Sequence, residues 1–202
     1  MTAEPMTSPE HECAEHWPRP PQDGWTVDDL LTLPGLPPHT ELIDGGLFFA
    51  SPQRHFHSVA IDLLVAGLRS TVPPELRVNR EMTVIIDRRN GPEPDVSVVP
   101  KAALKSRSQT SFEASDVLLA IEVVSPESEA RDRNAKPPKY AAAGIENFWL
   151  VDMEGKDEHL VVRVYERDPL TKTYSCTGTY RDRLKVAVPY PIDIDLTAID
   201  EM

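Results

Sequence analysis

The stretch Asp116-Val-Leu-Leu-Ala-Ile-Glu-Val-Val124 decides how the rest of the chain is read. Its apolar residues run on without the polar alternation of a half-exposed strand, so both faces must be covered. Ser125-Pro126 stops it. A strand of this kind is central to its sheet and needs other elements packed above and below. Yet Glu122 sits inside it, between Ile121 and Val123. A carboxylate buried there must stay protonated or find a cation, because leaving it charged and unpaired is too costly. Its partner is a metal, a lysine or an arginine.

Downstream, a charged loop leads to Pro137-Pro138 and an alanine-rich segment ending at Gly144. Proline is tolerated in the first helical turn, where backbone donors are unpaired anyway, so a helix is predicted from about Pro137. Asn147 to Asp152 is the next strand. Residues 160–166 and 171–179 are predicted to form a hairpin around Asp168-Pro169. Upstream, Asp95 to Val99 is a strand that Pro100 ends and the Asn90-Gly91-Pro92 turn precedes. Residues 76–86, β-branched and alternating, suggest one further strand. Between Arg54 and Ser70, the residues Val59, Leu63, Leu64 and Leu68 recur at helical spacing, and Pro73-Pro74 closes that helix. Gly45-Gly46 between short apolar runs signals a hairpin. Thr26 and Asp29 form a capping box that opens a short helix, Val27 to Leu33, stopped by Pro34. The class is α/β with a mixed (α+β) order: a mixed sheet flanked by helices. Residues 1–24, rich in Pro, Glu and His, are expected to be a disordered leader, and residues 25–202 one domain.

Composition removes several classes. No apolar run is long enough to cross a bilayer, no repeat is present, and the first residues lack the pattern of a secretory signal. Cys13 and Cys176 are too few and too far apart for a disulfide framework or a zinc cluster. The expected location is the cytoplasm. Lys and Arg number 21 against 33 Asp and Glu, a formal net charge of -12. The imbalance survives removal of the first 24 residues, which carry five of the acids against Arg19 alone. Phosphate contacts dominate nucleic-acid affinity, so any such binding should be weak and dependent on a divalent cation. Local exceptions are Arg77, Arg80, Arg88 and Arg89; Lys101, Lys105 and Arg107; and Arg131, Arg133, Lys136 and Lys139.

The chemistry lies where acids interrupt apolar strands. Asp95, directly after Pro94, opens the strand that precedes the Glu122 strand. Two carboxylates on adjacent strands give the oxygen-rich, part-hydrated environment that Mg²⁺ prefers. Such an ion can acidify a bound water and neutralise charge on a phosphate. The competing reading pairs Glu122 with Arg or Lys in a structural ion pair and leaves Asp95 as a turn residue.

Several motifs recur together: Glu41-Leu-Ile-Asp-Gly45, Glu93-Pro-Asp-Val-Ser-Val-Val99 and Ile121-Glu-Val-Val-Ser-Pro126. Asp132-Arg-Asn-Ala-Lys136, Tyr140 and Ala143-Gly-Ile-Glu-Asn-Phe-Trp-Leu-Val-Asp152 follow in order. In this the chain resembles the bacterial Uma-type family of restriction-endonuclease-like proteins, a branch of the PD-(D/E)XK nuclease superfamily. The resemblance runs from about Thr26 to the carboxyl end. It implies a restriction-endonuclease-like core and a metal-dependent DNA endonuclease using Mg²⁺, with Mn²⁺ as a substitute. Asp95 matches the Asp of the Pro-Asp motif, Glu122 the acid of the (D/E)XK motif, and Glu41 an early acid that completes the metal site. Val124 stands where the lysine of Glu-x-Lys is usual. Lys136 matches a displaced lysine by its Asp-Arg-x-x-Lys context, and Lys139 is its rival. Nucleases of this shape commonly act as homodimers, and the sequence leaves that state open. Its acidic balance and missing Glu-x-Lys keep an alternative in view: a silent nuclease fold that binds nucleic acid or protein. His55 and His57 could approach a phosphate or metal but read as ordinary surface or helix-start residues, Trp149 and Phe148 as core, and Tyr140 as a packing residue that could also support the lysine.

Overall fold

The computed structural model describes residues 19–156 and 158–202. Most of the expected leader therefore lies outside the described residues. Within residues 19–24 the chain already turns, Gly24 N–H donating to the Pro21 carbonyl at 2.9 Å.

The helix α1 (Val27–Thr32) opens with the expected box, the Thr26 side chain accepting from Asp29 N–H and the Asp29 carboxylate from Thr26 N–H. The hairpin of β1 (Glu41–Ile43) and β2 (Gly46–Phe48) follows. Its turn is Asp44-Gly45 rather than Gly45-Gly46, and both residues have positive φ. That is the backbone a two-residue hairpin needs. Helix α2 (His55–Thr71) is the longest, and its buried stripe of Ala60, Ile61, Leu64 and Leu68 faces the main sheet.

That sheet has six strands in the order β10-β9-β8-β7-β5-β3. They are β3 (Leu76–Arg80), β5 (Val96–Pro100), β7 (Leu119–Val123), β8 (Asn147–Glu154), β9 (His159–Arg167) and β10 (Tyr174–Tyr180). The pair β7–β8 is parallel and every other pair antiparallel. Parallel neighbours need a crossover, here supplied by α3 (Lys136–Ala143). Gly144 ends α3 in the left-handed conformation, φ 94°, which glycine adopts without strain. Every residue of β7 is buried, as a strand covered on both faces must be. Leu119, Ile121 and Val123 face the α2 side, while Ala120 lies with Tyr140, Phe148 and Leu150 on the α3 side.

Two expectations change. Residues 76–86 form not one strand but two, β3 and β4 (Thr83–Ile85), because Glu81 takes a positive φ and turns the chain out of the sheet. The short β4 pairs instead with β6 (Ser111–Glu113), which the sequence reading did not separate. The helical segment before β8 also begins earlier, as a π-helical turn over Arg131–Ala135 that runs into α3. A further hairpin, β11 (Arg183–Val186) with β12 (Ile192–Asp195), packs beside α2. Gly67 permits that approach, since a Cβ there would stand 2.6 Å from Ile194 Cγ1. Among the described residues no helix is long and apolar enough to cross a membrane.

Candidate active site

The ladder pairing Val96 with Ile121 brings Asp95, the residue before β5, alongside Glu122 on β7. Asp95 Oδ2 accepts from Val123 N–H at 2.6 Å, and its Oδ1 lies 3.1 Å from His57 Nε2. Glu122 points to the α3 side, where it is 1% exposed. Its Oε2 meets Lys136 Nζ at 2.9 Å and its Oε1 accepts from the Tyr140 hydroxyl at 2.6 Å.

Lys136 is the hub. Its ammonium also lies 2.6 Å from Glu41 Oε1 and 2.9 Å from Asp132 Oδ1. Glu41 is further fixed by Glu93 N–H at 3.0 Å and by Arg131, whose guanidinium stacks on Phe48. The π-turn sets this geometry. Lys136 N–H donates five residues back to the Arg131 carbonyl, and the widened turn holds Asp132 and Lys136 against each other. Such turns recur at functional sites. Pro137 and Pro138 follow at the junction of the π-turn with α3, and the lysine points inward, 3% exposed. Lys139 instead reaches Asp44 at 2.5 Å on the surface, away from this cluster.

These residues line one cavity of about 380 Å³, with Glu41, Asp95, Glu122, Asp132 and Lys136 on its wall. Burial pushes the Glu122 carboxyl well above the usual carboxylate range, against the pull of Lys136, and burial raises Asp132 in the same direction. For Lys136 burial alone would favour the neutral amine. The carboxylates of Glu122, Glu41 and Asp132 outweigh it and hold the ammonium well above its ordinary value. The two directions have different causes, burial for the carboxyls and the neighbouring carboxylates for the lysine. Burial likewise raises the Tyr140 hydroxyl, which stays protonated and donates to Glu122. At the mouth, His39 Nδ1 meets Glu93 Oε1 at 2.6 Å; that bond raises His39, while burial raises Glu93.

Three contributors, Asp132, Tyr140 and His57, were not among the site residues expected from the sequence. Asp132 stands four residues before Lys136 and Tyr140 four after it, spacings that put all three on one helical face. His57 lies four residues before Ile61 and seven before Leu64, on the buried stripe, and is itself 6% exposed. His55 is exposed and takes no part.

Among the described residues no three acidic, histidine or cysteine side chains converge closely enough to hold an ion as they stand. The carboxylates turn to the Lys136 ammonium instead. The donor set still suits a hard divalent cation. It is all oxygen, has more acidic side chains than Lys136 and Arg131 can pair, and borders an open cavity.

A mixed sheet flanked by helices, with this acid-and-lysine cluster across two central strands, defines a nuclease-like α/β fold. The family described as "Uma2: Putative restriction endonuclease" matches residues 27–190, and the chain belongs to it. A crystal structure described as a putative nuclease belonging to DUF820, from Anabaena variabilis ATCC 29413, shares the fold. It superposes with a TM-score of 0.64 at 23% identity, over 81% of this chain and 89% of that one. No curated protein matches the chain.

Proposed function

We propose that the protein is a Mg²⁺-dependent endonuclease that hydrolyses phosphodiester bonds in DNA, with Mn²⁺ able to replace Mg²⁺. The observation that carries this reading is the excess of carboxylates around Lys136 on the wall of a single cavity. Asp95 and Glu122, completed by Glu41, would hold the ion. When bound, it supplies a more acidic water and neutralises charge developing on the phosphate.

The chain's own residues do the rest. Lys136 keeps its proton, so it serves as a hydrogen-bond donor and fixed positive charge for the phosphate or the attacking water, not as a general base. Tyr140 fixes one oxygen of Glu122 and Val123 N–H one oxygen of Asp95. With a net charge of -12 the protein gains little from the DNA backbone alone, so binding should require the cation and weaken with salt.

One observation favours a second reading, a silent nuclease fold that binds nucleic acid or protein: the carboxylates are already engaged by Lys136. A single experiment separates the two. Supercoiled and single-stranded DNA are incubated with the protein in Mg²⁺, in Mn²⁺ and in EDTA, beside Glu122→Ala. Metal-dependent cleavage should appear and fall by about two to three orders of magnitude in the variant. Cleavage equal in both proteins, or in neither, would remove the nuclease reading. Calorimetry with Mn²⁺ would then test whether the silent fold keeps a cation site.

A further inference from the structure

The proposed metal ligand Asp95 sits on a bend, not within a strand, and follows a proline that offers no neighbouring N–H. Two groups meet it. Val123 N–H, part of the central strand, donates to Oδ2, and the imidazole Nε2 of His57 lies 3.1 Å from Oδ1. Among the described residues His57 is the only basic or imidazole side chain within ion-pair distance of this carboxylate. With Asp95 ionised, the contact is attractive when Nε2 carries the proton.

His57 is an unlikely residue to bury without a task. It occupies the first turn of α2 on the stripe that otherwise carries Ala60, Ile61, Leu64 and Leu68. At 6% exposed it has given up hydration that an alanine or leucine there would not lose. It borders the same cavity as Glu41, Glu122 and Lys136. Each carboxylate oxygen keeps a second lone pair after accepting one hydrogen bond, so both Asp95 oxygens can still face a cation while their direction is fixed.

We infer that His57 is a positioning residue: through Nε2 it orients the Asp95 carboxylate for the divalent cation and ties that ligand to the first turn of α2. The inference rests on the reading of Asp95 as a metal ligand. Outer partners of this kind matter because an ion gains most from ligands that need no reorientation. Their removal characteristically weakens metal affinity by about 10–100-fold. His57 never touches the ion or the substrate in this role.

The test is calorimetric titration of the full chain with Mn²⁺ alone, without DNA, for the wild type, His57→Leu, His57→Gln and His57→Asn, beside thermal unfolding in EDTA. Gln can place its amide N–H near the position of Nε2, whereas the shorter Asn cannot reach Asp95. Mn²⁺ affinity should fall by about 10–100-fold in His57→Leu and His57→Asn and return to within about threefold of wild type in His57→Gln. Melting temperatures in EDTA should not follow that order, because a purely structural histidine would change stability and leave the relative affinities alone. Wild-type affinity in both the Leu and Asn variants would overturn the inference while leaving the metal site intact. Should His57→Leu fail to fold, the Gln and Asn variants decide by the same comparison. Absence of Mn²⁺ binding by the wild type would overturn the metal reading itself, and the role of His57 with it.

Discussion

Glu122 on β7 and Asp152 on β8 are buried carboxylates on neighbouring parallel strands, and both take a cation from the helical segment between them. Asp152 receives Arg133 through two hydrogen bonds, at 2.5 and 3.1 Å, and Arg163 as well. Arg163 also reaches Glu154, which Arg181 joins at 3.1 Å. Around Asp152, then, Arg133, Arg163 and Arg181 meet three acids, Asp152, Glu154 and Glu129. Around Glu122 a single ammonium serves three carboxylates, Arg131 adds one contact to Glu41, and Asp95 stands beside them, so acids outnumber cations. Asp152 does border a recess of about 190 Å³, but its oxygens are already satisfied there. Burial of an acid thus does not by itself mark chemistry; the balance of charge around it does. A neutralised cluster is complete, whereas an acid-rich one has capacity for another cation.

The sharpest way to break that comparison is to remove the shared cation. Lys136→Met leaves Glu122, Glu41 and Asp132 without their ammonium and should cost about 3–5 kcal/mol in EDTA. Mg²⁺ at millimolar concentration should restore much of this loss, while cleavage stays abolished. Urea unfolding with and without metal measures it. Indifference to Mg²⁺ would make the cluster a structural ion pair of the Asp152 kind.

Asp152→Asn should be milder, about 1–3 kcal/mol at the upper end of what charge-assisted hydrogen bonds contribute. Arg133 and Arg163 are 36% and 25% exposed and can turn to water, which reduces the cost further. Mn²⁺ affinity and cleavage should remain at wild-type levels in this variant. A parallel loss of metal affinity would show the two clusters to be coupled.

The burial of Glu122 also has a pH signature. A carboxyl whose folded value is raised binds its proton more tightly in the folded than in the unfolded chain. Its contribution therefore favours folding at low pH and is lost as pH rises from the ordinary carboxylate range through the raised folded value. A divalent cation competes with that proton, so binding should release protons and tighten with pH by up to about tenfold per unit for each proton displaced. Calorimetry at pH 6 and pH 8 in buffers of different ionisation heat reads both quantities. An affinity flat in pH would mean that no proton is retained in the cluster.

The smallest effect is expected at Lys139. Its contact with Asp44 is on the surface, where such pairs contribute about 0–1 kcal/mol. Lys139→Ala should leave stability, metal affinity and cleavage near wild type. A large loss of cleavage would move the lysine role from Lys136 to Lys139.

Much of this was legible because it depends on local pattern. The Thr26–Asp29 box, the α2 stripe, the doubly covered β7 and the conflict posed by Glu122 all follow from neighbours in sequence. The break at Glu81 was not, since no glycine announces its positive φ; β4 leaves the sheet to pair with β6 about 30 residues on. Nor was the early π-turn, because two prolines read as a helix start sit instead at the junction where the π-turn passes into α3.

The sequence by itself determined that a carboxylate would be buried in a central strand and would demand a cation, because the free energy of an isolated charge in an apolar run depends only on what surrounds it. It also placed a lysine at the right separation to answer. Only the tertiary structure decided how many acids share that lysine, which strand brings Asp95 alongside Glu122, and that His57 from a distant helix lies against Asp95. Those are questions of distance between segments far apart in the chain, and electrostatic balance is set by distance, not by order along the sequence.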